Sequence, residues 1–295
     1  MTERSDQPET QRGYGSVKLL RVGPEGAERP AVLAEDGTLL DLSGVTRDID
    51  PGFLATGLED LRTAYEGGEL SPIQNTKRVG APVARPGKVV CIGLNYRDHA
   101  AETKDELPAE PIIFMKAVNT VVGPTDDVLI PRGSQKTDYE VELAVVLKGR
   151  ARYLDSPGEA RDLIAGYAIS NDVSEREYQL ERGGTWDKGK SCETFNPLGP
   201  HLVTADEIAD PQDLGLRLWV NGELRQDGST KDMIFGVDHL IWYLSQFMVL
   251  EPGDIINTGT PAGVAMGRPG TPYLRRGDVV EIEIDGLGRQ HQRLV

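Results

Sequence analysis

The sequence predicts a mixed, β-rich α+β fold, with a small N-terminal α/β domain ahead of a strand-dense body. Three observations predict it. Glycine occurs 34 times and proline 19 times in 295 residues, a density of turn-formers that suits many short strands. Short apolar runs bounded by turn residues recur along the chain. In "LRLWVNGELRQ", Asn221-Gly222 separates two such runs, and this dipeptide favours a tight hairpin turn.

Residues 1–15 are polar and turn-rich and are expected to form a disordered tail. Residues 16–80 are expected to form the small domain. "VKLLRV", "PAVLAE" and "GTLLDLS" read as a β-meander, and "GFLATGLEDLRTAYEGG" as one helix ending at Gly67-Gly68. The Pro-rich "APVARPGK" marks a boundary, which leaves residues 81–295 as the main domain. Within it, "KVVCIG" and "PIIFMKA" read as buried strands. "DYEVELAVVLKG" begins with alternation and ends as an apolar run. "DVVEIEIDGLGRQ" reads as a second hairpin and "DMIFGVDHLIWYLSQFM" as a helix.

Composition excludes several function classes. A net charge of -15 repels nucleic-acid phosphates, so no nucleic-acid partner is expected. Cys91 and Cys192 form no C-x-x-C pair, which speaks against a disulfide scaffold and for the reducing cytoplasm. No signal peptide is visible. The apolar "HLIWYLSQFMVL" is too short to span a bilayer, so no membrane association is expected. Gly184 to Ser191, "GTWDKGKS", satisfies the phosphate-loop pattern G-x-x-x-x-G-K-[ST]. That loop needs a buried strand before it and a helix after it. Here the preceding "VSEREYQLERG" is charged and reads as a helix or surface loop, while Pro197 and Pro200 follow, so Lys190 has another use.

Acidic residues give the first chemical signal. In "TDYEVELAVV", Glu140 and Glu142 share one strand face, about 7 Å apart along the strand, while Tyr139, Val141 and Leu143 share the other. Asp172 follows the apolar "LIAGYAISN", at a strand end where a neighbouring strand can meet it. Three carboxylates without a His or Cys cluster suit a hard ion such as Mg²⁺ or Mn²⁺; the alternative is two solvated glutamates and a turn aspartate. In "GLNYRDHAAE", Asn95 is placed to cap a helix that puts His99 and Glu102 on one face. A carboxylate beside an imidazole makes a general base, although surface pairs of this kind are common. The other histidines are His201, His239 and His291; His239 falls in the apolar helix and reads as structural. In "NTGTPAGV", the small residues allow close backbone approach, and Thr260 offers a hydroxyl and N–H groups to a carboxylate.

In this order, "VVCIGLNYRDHAAE", "PIIFMK", "DYEVELAVVL", "GYAISNDVSERE", "KGKSCETFNPLGP" and "INTGTPAGV" resemble the fumarylacetoacetate hydrolase family over roughly residues 85–290. The resemblance implies a β-roll with short surrounding helices, assembled as a homodimer. It implies Glu140, Glu142 and Asp172 as ligands for Mg²⁺ or Mn²⁺, with His99 and Glu102 as the water-activating dyad. Lys190 is then the active-site lysine, and Thr260, Gln179 and Gly259 contact the substrate. It implies hydrolysis of the C3–C4 bond of a 2,4-diketo acid, releasing pyruvate. Oxaloacetate decarboxylation or isomerisation of a hydroxymuconate-type acid on the same site is the alternative, and a non-catalytic metal-binding protein a more distant one. Ser191-Cys192-Glu193 departs from the residues that usually follow the lysine. The surrounding stretch resembles the branch that hydrolyses 2,4-diketo-3-deoxy-L-rhamnonate or -fuconate.

Overall fold

A computed structural model describes residues 17–74, 78–268, 270 and 272–295. The tail expected over residues 1–15 lies outside the described residues.

The chain folds as a mixed, β-rich α+β protein. An 11-stranded sheet forms its centre. Its main path runs Leu39–Asp41, Arg29–Leu33, Lys18–Val22, Asn196–Thr204, Ile164–Asn171, Val141–Leu147, Ile255–Asn257, Val89–Gly93, Ile112–Lys116. Along this path only Ile255–Asn257 and Val89–Gly93 pair in parallel. A second sheet carries both expected hairpins: Gly215–Val220 with Glu223–Ser229, and Val279–Ile284 with Gly288–Arg293. Asn221 and Gly222 take φ of 53° and 79°, as a two-residue mirror-image turn requires.

The large sheet is buried on both faces. On one, Leu143, Val145 and Ile169 pack against Leu218 and Ile282 of the second sheet and against Leu240 and Leu244 of the helix Val237–Ser245. On the other, Ala144, Val146 and Leu198 pack against Leu19, Phe53 and Leu61 from the N-terminal segment. Val141–Leu147 is buried at every position, Glu142 included. Each buried Val or Leu contributes about 1.5–3 kcal/mol, so the apolar residues hold this strand in the interior despite its carboxylate.

The stretch expected as one N-terminal helix is two, Pro51–Thr56 and Leu58–Glu66. Asp50 caps the first by accepting from the N–H of Phe53 at 3.0 Å. Gly57 closes it, donating to the Phe53 carbonyl at 2.7 Å. A Cβ on Gly57 would lie 2.4 Å from the Phe53 ring, so glycine makes the break possible. The N-terminal meander continues the large sheet, Lys18 pairing with Val203 and Leu19 with Leu202. Among the described residues no helix is long and apolar enough to cross a membrane.

Candidate active site

The acids converge because strand pairing aligns them. Ile164–Asn171 runs antiparallel to Val141–Leu147, with Ser170 opposite Glu142 and Asn171 opposite Val141. The pattern runs one residue further: the N–H of Asp172 donates to the carbonyl of Glu140 at 3.0 Å, placing these two acids side by side. Glu140, Glu142 and Asp172 are all buried, and each offers an oxygen within 4.8 Å of the others. Two like charges at this spacing repel by about 3–4 kcal/mol at an effective dielectric near 20, so the cluster needs compensating cations.

Three side chains supply positive charge. The Lys190 Nζ donates to Glu140 Oε2 at 2.7 Å and to Asp172 Oδ2 at 2.8 Å. Lys116 bonds the other oxygen of Asp172 and donates to the Val173 carbonyl at 3.1 Å. Arg176 spans Asp138 at 2.9 Å and Glu140 at 2.6 Å. Burial alone would push the Glu140 pKa up; the Lys190 ammonium and the Arg176 guanidinium outweigh it and hold the carboxyl below the usual range. Glu142 goes the other way. Burial, then repulsion by Asp172 and Glu140, push its pKa well up, and its hydrogen bond is to the N–H of Gly259 at 2.8 Å.

Lys116 and Arg176 were not singled out from sequence. Lys116 closes the apolar strand "IIFMK", where a charge signals either a strand end or a buried partner. Arg176 sits in "VSERE", expected to be a helix or surface loop. In fact Ser174–Glu175 is a short strand paired with Thr137–Asp138, and a π-helical turn, Glu177–Glu181, follows, with Arg176 and Gln179 buried.

The dyad stands on the short helix Arg97–Thr103. His99 Nδ1 lies 3.3 Å from Glu102 Oε2. A carboxylate partner fixes the proton on Nδ1 and leaves Nε2 as the base. The N–H of Gly263 donates to both Glu102 oxygens at 3.0 Å, and Arg268 lies 3.8 Å away. Burial opposes ionisation of Glu102, but the His99 and Gly263 hydrogen bonds prevail and lower its pKa. Asn95 does not cap this helix, contrary to expectation. Its side chain donates to the carbonyls of Phe235 and Thr258 and accepts from the N–H of Phe235, tying three segments together behind the dyad.

A cavity of about 370 Å³ is lined by His99, Glu140, Glu142, Arg176, Gln179, Lys190 and Thr260 among others, whereas Asp172, Glu102 and Lys116 lie outside its lining. His201, His239 and His291 lie outside its lining. His239 stacks on Phe235 in the apolar helix, as expected. Gln179 accepts from Arg176 Nη1 at 3.0 Å, which commits its carbonyl oxygen and leaves its NH₂ as a donor on the cavity wall. Two of the expected substrate contacts have polar groups engaged within the protein. The Thr260 hydroxyl donates its one proton to the carbonyl of Val141 at 2.9 Å, so it has none for a ligand. Gly259, at φ 97°, spends its N–H on Glu142 and does not line the cavity. At the phosphate-loop match, Lys190 ends the four-residue helix Asp187–Lys190 and bonds Glu140 and Asp172.

The three carboxylates fit a divalent ion. All donors are hard oxygens, all three residues are buried, and one oxygen of each lies within 4.8 Å of the others, a donor set suited to a hard divalent ion. Glu142 in particular is a buried carboxylate with no side-chain cation bonded to it among the described residues.

Residues 88–295 match the model of the fumarylacetoacetate (FAA) hydrolase C-terminal domain. The chain belongs to the fumarylacetoacetate hydrolase family. A Burkholderia multivorans relative, given only the general name of hydrolase, is 50% identical over 278 residues, covering 94% of this chain and 98% of the relative. The solved 2-hydroxyhepta-2,4-diene-1,7-dioate isomerase of Mycobacterium marinum superposes with a TM-score of 0.73 at 31% identity, over 95% of this chain and 98% of that one. The maleylpyruvate hydrolase of Sphingobium sp. SYK-6, solved with manganese(II) and pyruvate, gives 0.77 at 28% identity, over 94% and 98%. The family and these relatives make the chain an enzyme with a fold shared by hydrolases and isomerases.

Proposed function

We propose that the chain is a divalent-metal-dependent hydrolase that cleaves the C3–C4 bond of a 2,4-diketo acid and releases pyruvate. One observation carries the reading: Glu140 and Glu142 of a buried acid triad and the imidazole of a histidine–carboxylate dyad line one cavity. The manganese and pyruvate in the Sphingobium enzyme support it.

Glu140, Glu142 and Asp172 hold the ion, Mg²⁺ or Mn²⁺, which when bound supplies Lewis-acid polarisation of the substrate's oxygens. Lys190 has three N–H donors and uses two on Glu140 and Asp172; the third serves the C2 oxygen, where negative charge develops. The Gln179 NH₂ donates to the same head group. His99, oriented by Glu102, takes a proton from water, and the resulting hydroxide bonds to C4. The C3–C4 bond breaks, its electron pair goes to C3, and C3 regains a proton. The products are the acid bearing the former C4 carbonyl and pyruvate.

The likeness to the Mycobacterium marinum isomerase supports a second reading, isomerisation of an unsaturated 2-hydroxy diacid on the same groups. That reaction moves protons and needs no water. A panel of 2,4-diketo acids with added Mg²⁺ or Mn²⁺, assayed for pyruvate, tests the first reading; turnover of 2-hydroxyhepta-2,4-diene-1,7-dioate without pyruvate release would establish the second instead.

A further inference from the structure

The polar groups described above line part of the cavity, and the diketo head uses them. Apolar side chains line it as well: Leu94, Ile112, Phe114, Leu180, Trp186 and Met266. We infer that these side chains form an apolar acyl pocket, built for an aliphatic or aryl group on C4 and against a second carboxylate or a polyhydroxylated chain. The inference rests on the diketo-acid reading for the orientation of the substrate.

Trp186 is seated by design of the backbone. A Cβ on Gly93 would lie 2.4 Å from its ring, so only glycine at that position lets the indole reach the pocket. The ring packs against Phe114 with centroids 5.3 Å apart at 59°. The neighbouring Asp187 anchors the segment by accepting from the N–H of Met115 at 3.0 Å.

Charge points the same way. The two cations in the lining, Arg176 and Lys190, are each bonded to carboxylates, at Asp138 and Glu140 and at Glu140 and Asp172 respectively. The lining's polar residues outside the head site are Thr103 and Asp105, and the exposed Asp105 repels a distal carboxylate. Hydroxyls on an acyl chain would lose water against aromatic and aliphatic walls without enough partners to replace it.

The test is a chain-length series of 2,4-diketo acids, from acetylpyruvate through longer alkyl chains to the phenyl compound. Matched compounds of equal length carry a terminal carboxylate or hydroxyls. kcat/KM is expected to rise about fourfold per added methylene until the wall is covered. The carboxylated and hydroxylated compounds are expected to fall at least about tenfold below their alkyl counterparts. Trp186→Ala flattens the length dependence. Ile112→Lys, at a position 36% exposed and so tolerant of lysine, moves the preference towards the terminal carboxylate. A wild-type preference for the carboxylated or hydroxylated compounds overturns the inference. A parallel binding measurement separates it from the reading it rests on. With Mn²⁺ present, thermal stabilisation by 2-oxooctanoate is compared with that by 2-oxosuberate. If no diketo acid yields pyruvate, the hydrolase reading fails, and the acyl pocket stands if 2-oxooctanoate stabilises more and falls if 2-oxosuberate does.

Discussion

The two halves of the polar site are held by different means. The acids stand on or beside interior strands, and Glu140 and Asp172 are locked by the ammonium and guanidinium groups around them. The dyad stands on a seven-residue helix, and Glu102 is fixed chiefly by the backbone N–H of Gly263. Charge balance in the first half belongs to the folding of the protein; in the second it concerns one imidazole. A substitution among the acids and their cations therefore strikes both fold and chemistry, whereas one in the dyad strikes chemistry alone.

The largest effect is expected from Glu142→Ala. Mn²⁺ binding, followed by titration calorimetry, should vanish, and pyruvate release should fall on the order of 10³-fold or more. Retained metal binding would move the ion off this triad. Next, Lys190→Met removes one of the two cations bonded to each of two buried carboxylates, with two charge-assisted hydrogen bonds, and should lower the unfolding free energy of metal-free protein by about 3–5 kcal/mol in urea titrations. An unchanged midpoint would erase the contrast between the halves. Glu102→Gln should slow turnover by about 10–10²-fold, since it misorients the imidazole, yet move stability by less than about 0.5 kcal/mol. A large loss of stability would place the dyad in the structural half too.

The smallest effect at neutral pH concerns His201, which contrasts with the partnered His99. It is buried, its Nε2 has no hydrogen-bond partner among the described residues, and burial lowers its pKa from 6.5 to about 4. Because the unfolded chain binds this proton more readily, native stability falls as pH drops from about 6.5 to about 4, by about 3 kcal/mol in total. His201→Leu should flatten that stretch of the stability–pH curve and leave it unchanged above pH 7.5. An equally steep loss in the variant would assign the acid sensitivity to other groups.

Much of this was legible in the sequence. Strand alternation put Glu140 and Glu142 on one face, and the polarity switch after Ser170 marked Asp172. Asn221-Gly222 gave its hairpin, and helical spacing paired His99 with Glu102. What stayed illegible depends on distant partners. Nothing local distinguishes Lys116 or Arg176 from surface cations, because the acids that bury them lie 20 residues or more away in the chain. Asn95 has the right residue type for a cap, but its partners Phe235 and Thr258 come from the far end of the sequence. Thr260 looked like a donor because the backbone carbonyl and the Gln226 amide that engage its hydroxyl arrive only on folding.

The pairing of Lys18 and Leu19 with Val203 and Leu202 makes the first strand a selvedge for the catalytic body. Trimming the chain to residues 81–295 would leave Asn196–Thr204 as a raw margin, with open backbone donors and acceptors and a bared patch around Leu198 and Leu202. Such a margin invites a second molecule to zip onto it, so the short form should aggregate where the long one stays dispersed.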